Sequence, residues 1–204
     1  MAQNSTDSRV RRTKKLLREG LTALLHEKSI KKITVRELSD KVEINRGTFY
    51  LHYKDIYDLV AQIEDELFSD FEELLSKYTF EDLTIRPHAI FSDICRFLYE
   101  NRDICSALLG DNGDISFLFK MRTFLRNKCF SDFAAVYEIT HLEHYQYVYT
   151  FFEAGAVGLI RYWLEHPEDK RTPEDIAYLI EHIFKNGASF LLQDNQKMEA
   201  KDHD

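Results

Sequence analysis

Two helix-start signals stand close together in "TVRELSDKVEINRGTFYLHYKD", residues 34–55. Thr34 with Glu37 three residues on is a capping box, and Asn45 is the next good N-cap. The interval leaves room for a helix of about two turns, a tight turn, and a second short helix to about His52. Helices this short cannot bury enough surface to stand alone. They need a helix before them and a helix after, and the apolar spacing supplies both. Val10, Leu16, Leu17, Leu21, Leu24 and Leu25 mark a helix over about residues 9–27. Asp55 caps a long helix whose inner side is Ile56, Leu59, Val60, Ile63, Leu67, Phe71 and Leu74. "HEKSIKKI" breaks the first pattern and reads as a connector, while residues 1–8 are polar and expected to fray.

The remainder keeps helical spacing. Helices are predicted from Pro87 to about Tyr99, then over about 103–109, 115–130, 142–165 and 172–192, the last with Thr172 as N-cap and Pro173 in the first turn. Seven glycines and three prolines are too few for an architecture of many tight turns, and no stretch reads as a strand. The expected fold is all-α: a three-helix N-terminal domain, residues 1–54, followed by a helical bundle, residues 55–204. The most apolar stretch, 148–164, is interrupted by Glu153 and Arg161 and suits a buried bundle helix better than a membrane span. With no secretory signal and three cysteines without CxxC spacing, the chain is expected to be soluble, reduced and cytoplasmic, with no membrane partner.

Charge is unevenly spread over a chain of net −8. Residues 1–57 hold thirteen Lys/Arg and seven Asp/Glu, and the remainder 14 and 28. A basic head on an acidic body fits a local polyanion site; it also fits a merely solvated basic face. On the second short helix Phe49 and Tyr53 would face inward. Gly47 and Leu51, flanked by Arg46, Thr48 and Tyr50, would then face out. An arginine can donate a bidentate pair to guanine, and hydroxyls and backbone N–H groups can bind phosphates.

These residues carry a resemblance. "KITVRELSDKVEINRGTFYLHYKDIYDLV" resembles the N-terminal helix-turn-helix domain of TetR-type transcriptional regulators, over roughly residues 9–68. Its most specific part is Gly47-Thr48-Phe49-Tyr50-x-His52-Tyr53-Lys54. The C-terminal part, including "FFEAGAVGLIRYWLE", is similar to a subset that includes dihydroxyacetone-kinase-regulator-like proteins. The resemblance implies that Arg36, Arg46, Gly47 and Thr48 approach bases or nearby phosphates, and that Tyr50, His52 and Lys54 sit against the sugar–phosphate backbone. Thr34 is a helix cap and a candidate phosphate ligand. Tyr50 and His52 can equally be surface residues that cap a neighbouring helix. Many relatives carry a lysine where Ile56 stands here, so no backbone contact is expected there, and Arg9, Arg11, Arg12 and Lys15 are the cations left to supply affinity.

Other chemistry has little to hold it. "HLEH" pairs His141 with His144 but lacks a third ligand at zinc spacing, no nucleophile elbow, phosphate loop or dinucleotide fingerprint occurs, and neither a cofactor nor an enzyme activity is expected. Cys95 and Cys105 read as small apolar residues or as redox-sensing thiols. Phe97, Phe119, Tyr149 and Phe152 are candidates to line an effector cavity, although at helical spacing they equally make plain core. Gly155, Ala156 and Gly158 would allow close helix approach, and with Tyr162 and Trp163 mark an expected dimer interface. The function implied is a homodimeric repressor that occupies an operator until a ligand or protein partner moves its heads out of register. An activator or co-activator of the same fold is the second reading, and a helical interaction protein with a non-specific basic head the third.

Overall fold

The computed structural model describes residues 2–79, 82, 86–110, 112, 117–124, 126, 142–183, 185 and 186, with side chains left out for 2–7 and 142–145. Every regular element among them is helical. In chain order they are α1 (Ala2–Glu27), a single 3₁₀ turn (Ile30–Lys32), α2 (Val35–Lys41), α3 (Arg46–Tyr50), α4 (Ile56–Ser76), α5 (Pro87–Glu100), α6 (Arg102–Leu109), α7 (117–124), α8 (Leu142–Glu165) and α9 (173–183). None of the helices among these residues is long and apolar enough to cross a membrane.

The chain divides into two compact units that interleave in sequence. The first takes residues 1–70 and 101–118, so α6 joins the N-terminal helices. Within it α1 packs on α6 and on α2, and α2 packs on α3. Leu17, Leu21, Leu24, Leu25, Leu38, Phe49, Leu59 and Val60 are buried, which is the burial the two short helices lack by themselves. Gly20 is what lets α1 and α2 meet. A Cβ built there would lie 2.3 Å from Val42 Cγ1 and 3.0 Å from Leu38 Cδ1, so any larger residue collides. The carboxylates of α1 and α2 also pair with cations across the contact, Glu37 with Lys28 and Glu27 with Lys41.

The caps follow the sequence closely. Thr34 Oγ1 accepts the Glu37 N–H at 3.2 Å, although the Glu37 carboxylate turns to Lys28 instead of back to residue 34, so only half of the expected box forms. α2 ends in a Schellman turn: Ile44 N–H donates to Ser39 C=O and Glu43 N–H to Asp40 C=O. That motif needs a left-handed residue, and here Glu43 supplies it at φ 55°. Asn45 Oδ1 then accepts the Gly47 N–H at 2.7 Å and starts α3, and Asp55 accepts the Asp58 N–H and starts α4. The helix expected to reach about His52 closes at Tyr50, with Leu51 as its C-cap. At the other end of the fold, α1 is helical from Ala2 instead of fraying to residue 8.

The second unit, residues 71–100 and 119–204, is organised by α5. His88 and Arg96 on α5 pair with Glu181 and Glu174 on α9, at 2.9 and 2.6 Å. The earlier residue of one helix meets the later one of the other, so α5 and α9 run antiparallel. Phe91 and Tyr99 meet Phe152 and Trp163 in ascending order on both helices, so α5 and α8 run parallel. α8 starts and ends within the expected range, and Thr172 caps α9 through a full reciprocal box with Asp175. The expected continuation of that last helix to residue 192, and of the 115–130 helix at both ends, lies outside the described residues.

Candidate nucleic-acid interface

α3 is amphipathic over a very short length. Phe49 and Tyr53 are buried, their rings 5.7 Å apart, and they anchor the helix to the first unit. Arg46, Gly47, Tyr50 and Leu51 form the opposite arc and are exposed, Leu51 by 80% and Tyr50 by 59%. Thr48 and His52 lie half-buried on the flank. Tyr50 is braced edge-on by Phe49 at 5.5 Å, which gives an exposed ring a fixed direction.

The backbone around the arc is equally ordered. Gly47 donates its N–H to Asn45, and a Cβ at Gly47 would sit 3.2 Å from that same Asn45 oxygen, so a larger residue presses on the cap. Lys54 donates its backbone N–H to Asp58 Oδ2 at 2.8 Å, which leaves its exposed ammonium projecting from a fixed main chain. That hydrogen bond is the main reason the Asp58 carboxyl titrates below the ordinary range. Ile56, where many relatives of the resembling family carry lysine, is buried in the core and offers nothing to a polyanion.

Ion pairing sorts the head's cations into two groups. Lys15, Lys28, Arg36 and Lys41 each have a carboxylate partner, Arg36 only loosely, at 3.7 Å from Asp40 with both side chains well exposed. Arg46 has no carboxylate within ion-pair distance among the described residues, while the charge of Lys54 acts on Asp58, which also accepts its backbone N–H. An exposed pair such as Arg36–Asp40 contributes little and opens readily. Thr34 is exposed, and because its oxygen serves the cap as acceptor, its hydroxyl proton remains available to donate. Thr34, Arg36, Arg46, Gly47, Thr48, Tyr50, His52 and Lys54 therefore all belong to the first unit, on α2, α3 and the turn into α4. Leu51, which the sequence already places on the outward arc with Gly47, was given no contact role there.

The other expected sites divide. Gly155, Gly158 and Tyr162 are exposed on α8, and among the described residues nothing comes within 4 Å of a Cβ at either glycine. They extend a stripe with Tyr147 and Phe151, while Tyr178, Leu179 and Ile183 form an exposed apolar set on α9. Trp163 does not belong to that surface. It is 1% exposed, stacks on Tyr99 at 5.4 Å and donates its indole N–H to Arg171 C=O, so it is core. Phe97 likewise packs in the cluster around Phe71, Leu75 and Ile90. Phe152 is half-buried against Phe91 and Tyr149 is buried, whereas Phe119 is 68% exposed and is not enclosed at all. The four aromatics thus do not share one lining. Cys95 and Cys105 are buried, and that burial pushes their thiols up to about 12, which disfavours the thiolate and fits packing as small apolar residues. The side chains of His141, His144 and Cys129 lie outside the described residues, and among the described ones no group of three or more potential metal ligands gathers.

Residues 86–186 match a TetR-type family model whose description is "Transcriptional regulator C-terminal region". Over 173 residues, 79% of the chain, the sequence is 24% identical to YxbF, an uncharacterized HTH-type transcriptional regulator of Bacillus subtilis (strain 168). The chain spans 42% of that relative's length. Among solved structures it is similar to a transcriptional regulator of the TetR/AcrR family from Thermobifida fusca YX-ER1, with a TM-score of 0.42 and 18% identity, over 86% of this chain and 97% of that one. Each of these carries the name of a transcriptional regulator.

Proposed function

We propose that the chain is a TetR-type transcriptional regulator, a reading supported by the family match over residues 86–186, and that it binds operator DNA as a homodimer through residues 1–54, each head laying α3 in a major groove. One observation carries the reading. α3 turns a short arc of Arg46, Gly47, Tyr50 and Leu51 to solvent over a buried aromatic base, and Arg46 is left without a carboxylate partner among the described residues. Arg46, at the first position of α3, is the base reader. Gly47 lets the backbone approach, and Arg36 and Thr48 flank it. Thr34, Tyr50, His52 and Lys54 hold the phosphates on either side.

Residues 55–204 form the dimerisation and effector part. The exposed apolar stripes of α8 and α9, with Gly155, Gly158 and Tyr162, support a self-complementary contact, because apolar surface arrayed at helical spacing favours a partner over water. The regulator represses in the cytoplasm by occupying its operator, and a ligand or protein partner releases it by moving the heads out of register. Grouping with dihydroxyacetone-kinase-regulator-like proteins belongs to the same proposal. The test is selection of a bound sequence from random duplexes, followed by competition. A specific operator should resist random duplex up to an excess of roughly a thousandfold or more. Displacement at equal concentrations would instead identify a non-specific basic head.

A further inference from the structure

Leu51 is the one aliphatic side chain in the exposed arc of α3, and it adds little to the core. It is 80% exposed, and no large apolar side chain among the described residues is more so. A lone leucine in water is ordinary on any protein surface. What sets this one apart is a fixed backbone in a polar setting. Leu51 keeps helical geometry as the C-cap of α3, with φ −70° and ψ −21°, and its N–H donates to Gly47 C=O at 3.2 Å. Behind it, Phe49 and Tyr53 hold the helix in the core. The side chain therefore leaves a rigid platform.

Helical side chains lean toward the N-terminus, so a residue covers the turn before its own. For Leu51 that turn is Gly47, four residues earlier, where no side chain stands. The isobutyl group thus reaches over bare backbone, with exposed Arg46 and half-buried Thr48 on either side of the glycine in sequence. When α3 docks as proposed above, the leucine is carried into the groove with them. Whatever base edge lies opposite then loses water to an apolar group. Guanine offers two acceptors there, adenine an acceptor and an amino donor, and cytosine an amino donor. A leucine satisfies none of these, and a polar group left desolvated is costly. Thymine alone presents a methyl group. One side chain thereby favours thymine by contact and penalises the other bases by desolvation, the two routes to discrimination.

We infer that Leu51 is a second specificity-determining residue of α3, reading the 5-methyl group of one thymine in each half-site. The inference rests on the DNA-binding proposal above. Leu51 stands five residues from Arg46, about 7.5 Å along the helix, so the two side chains address different base pairs. Arg46 reads by hydrogen bonds, and Leu51 by shape and exclusion of water.

The experiment is a uracil scan. Each thymine of the selected operator is replaced in turn by uracil, in both half-sites at once, which removes the methyl and leaves every hydrogen-bonding group in place. Affinities are measured for the full-length protein and for Leu51→Ala, Leu51→Met and Arg46→Ala. The wild type should be sensitive at one thymine position, losing about fourfold for each methyl removed there. Leu51→Ala should bind the thymine operator more weakly and lose nothing further on the uracil duplex, because the two groups make one contact. Leu51→Met, apolar and of similar reach, should keep the sensitivity, and so should Arg46→Ala. Unchanged thermal unfolding shows that each variant folds. A wild type indifferent to every uracil overturns the inference while DNA binding by α3 stands. So does an operator whose half-sites hold no thymine, or a Leu51→Ala protein as sensitive as its parent. If selection from random duplexes yields no operator at all, the DNA-binding reading itself fails and the inference falls with it.

Discussion

Gly20 shows how one missing methyl can set the geometry of the proposed DNA-binding head. The residue buries no side chain, yet α2 lies against α1 only because nothing projects there. Gly20→Ala would gain about 0.5–1 kcal/mol of helix propensity. It would also force Val42, a stiff β-branched side chain at 2.3 Å, out of its place, and overpacking of this kind costs about 1–3 kcal/mol. The clash should win, lowering stability in urea unfolding by about 1–2 kcal/mol, and Val42→Ala in the same chain should recover part of the loss. A Gly20→Ala protein as stable as the parent would mean that α1 and α2 are not so close. Glu43 presents the reverse case. A non-glycine residue at φ 55° costs about 1–2 kcal/mol in the left-handed region. Glu43→Gly relieves that strain and loosens the unfolded chain, so a net gain of about 0.5–1 kcal/mol is expected, with the urea midpoint moving up. A drop in the midpoint would show that the glutamate's own contacts matter more than its backbone.

At the scale of elements, carboxylates placed at helix starts and between helices make the fold acid-sensitive. The Asp82 carboxyl is pulled down to about 2 from 3.8, first by Arg86 and then by the Thr79 N–H and hydroxyl. Asp58 is lowered by the Lys54 N–H, Asp175 by the Thr172 N–H, Glu174 by Arg96, and Glu181 by Lys185 with His88. For a folded-state pKa below the unfolded value, the contribution is complete above the unfolded pKa and is lost as pH falls through the folded one. Melting temperature should therefore fall as pH drops from about 4 toward about 2, and Asp175→Ala should make the fall shallower. An acid profile unchanged in Asp175→Ala would remove that cap from the account. These caps are also the part of the fold that was legible beforehand. Thr34, Asn45, Asp55 and Thr172 act within three residues of themselves, so spacing alone reveals them. Gly20 and Trp163 were not legible in their roles, because each depends on what another segment places opposite. Trp163 read as interface since it follows Tyr162 on a helix rich in small residues, and only the stacking of Tyr99 turns it inward. The exposed arc of α3 over its buried Phe49 and Tyr53 was readable, being built from one continuous stretch; the scatter of the aromatics expected to line a cavity was not, because they come from three helices.

For the molecule as a whole, the proposal requires two copies, and Gly158 offers a clean test of that. A Cβ there meets no atom of the described residues within 4 Å, so Gly158→Glu should fold normally and place an unpaired charge in the proposed contact. Sedimentation should show monomers, and operator affinity should fall because two heads no longer bind together. A variant that remains dimeric would put the interface elsewhere.

The central claim is that α3 reads sequence while the residues after it hold phosphates, and Arg46 and Lys54 divide those tasks. Salt titrations of Arg46→Ala and Lys54→Ala, each on the selected operator and on a scrambled duplex, test it most directly. Arg46→Ala should lose about 1–3 kcal/mol of discrimination at one base pair per half-site, with little change on scrambled DNA. Lys54→Ala should weaken both duplexes alike and lower the salt slope by about one unit per site. Equal loss on both duplexes for Arg46→Ala would contradict the account, making Arg46 a phosphate contact and leaving the reading of sequence to Arg36, Thr48, Leu51 or the shape of the DNA.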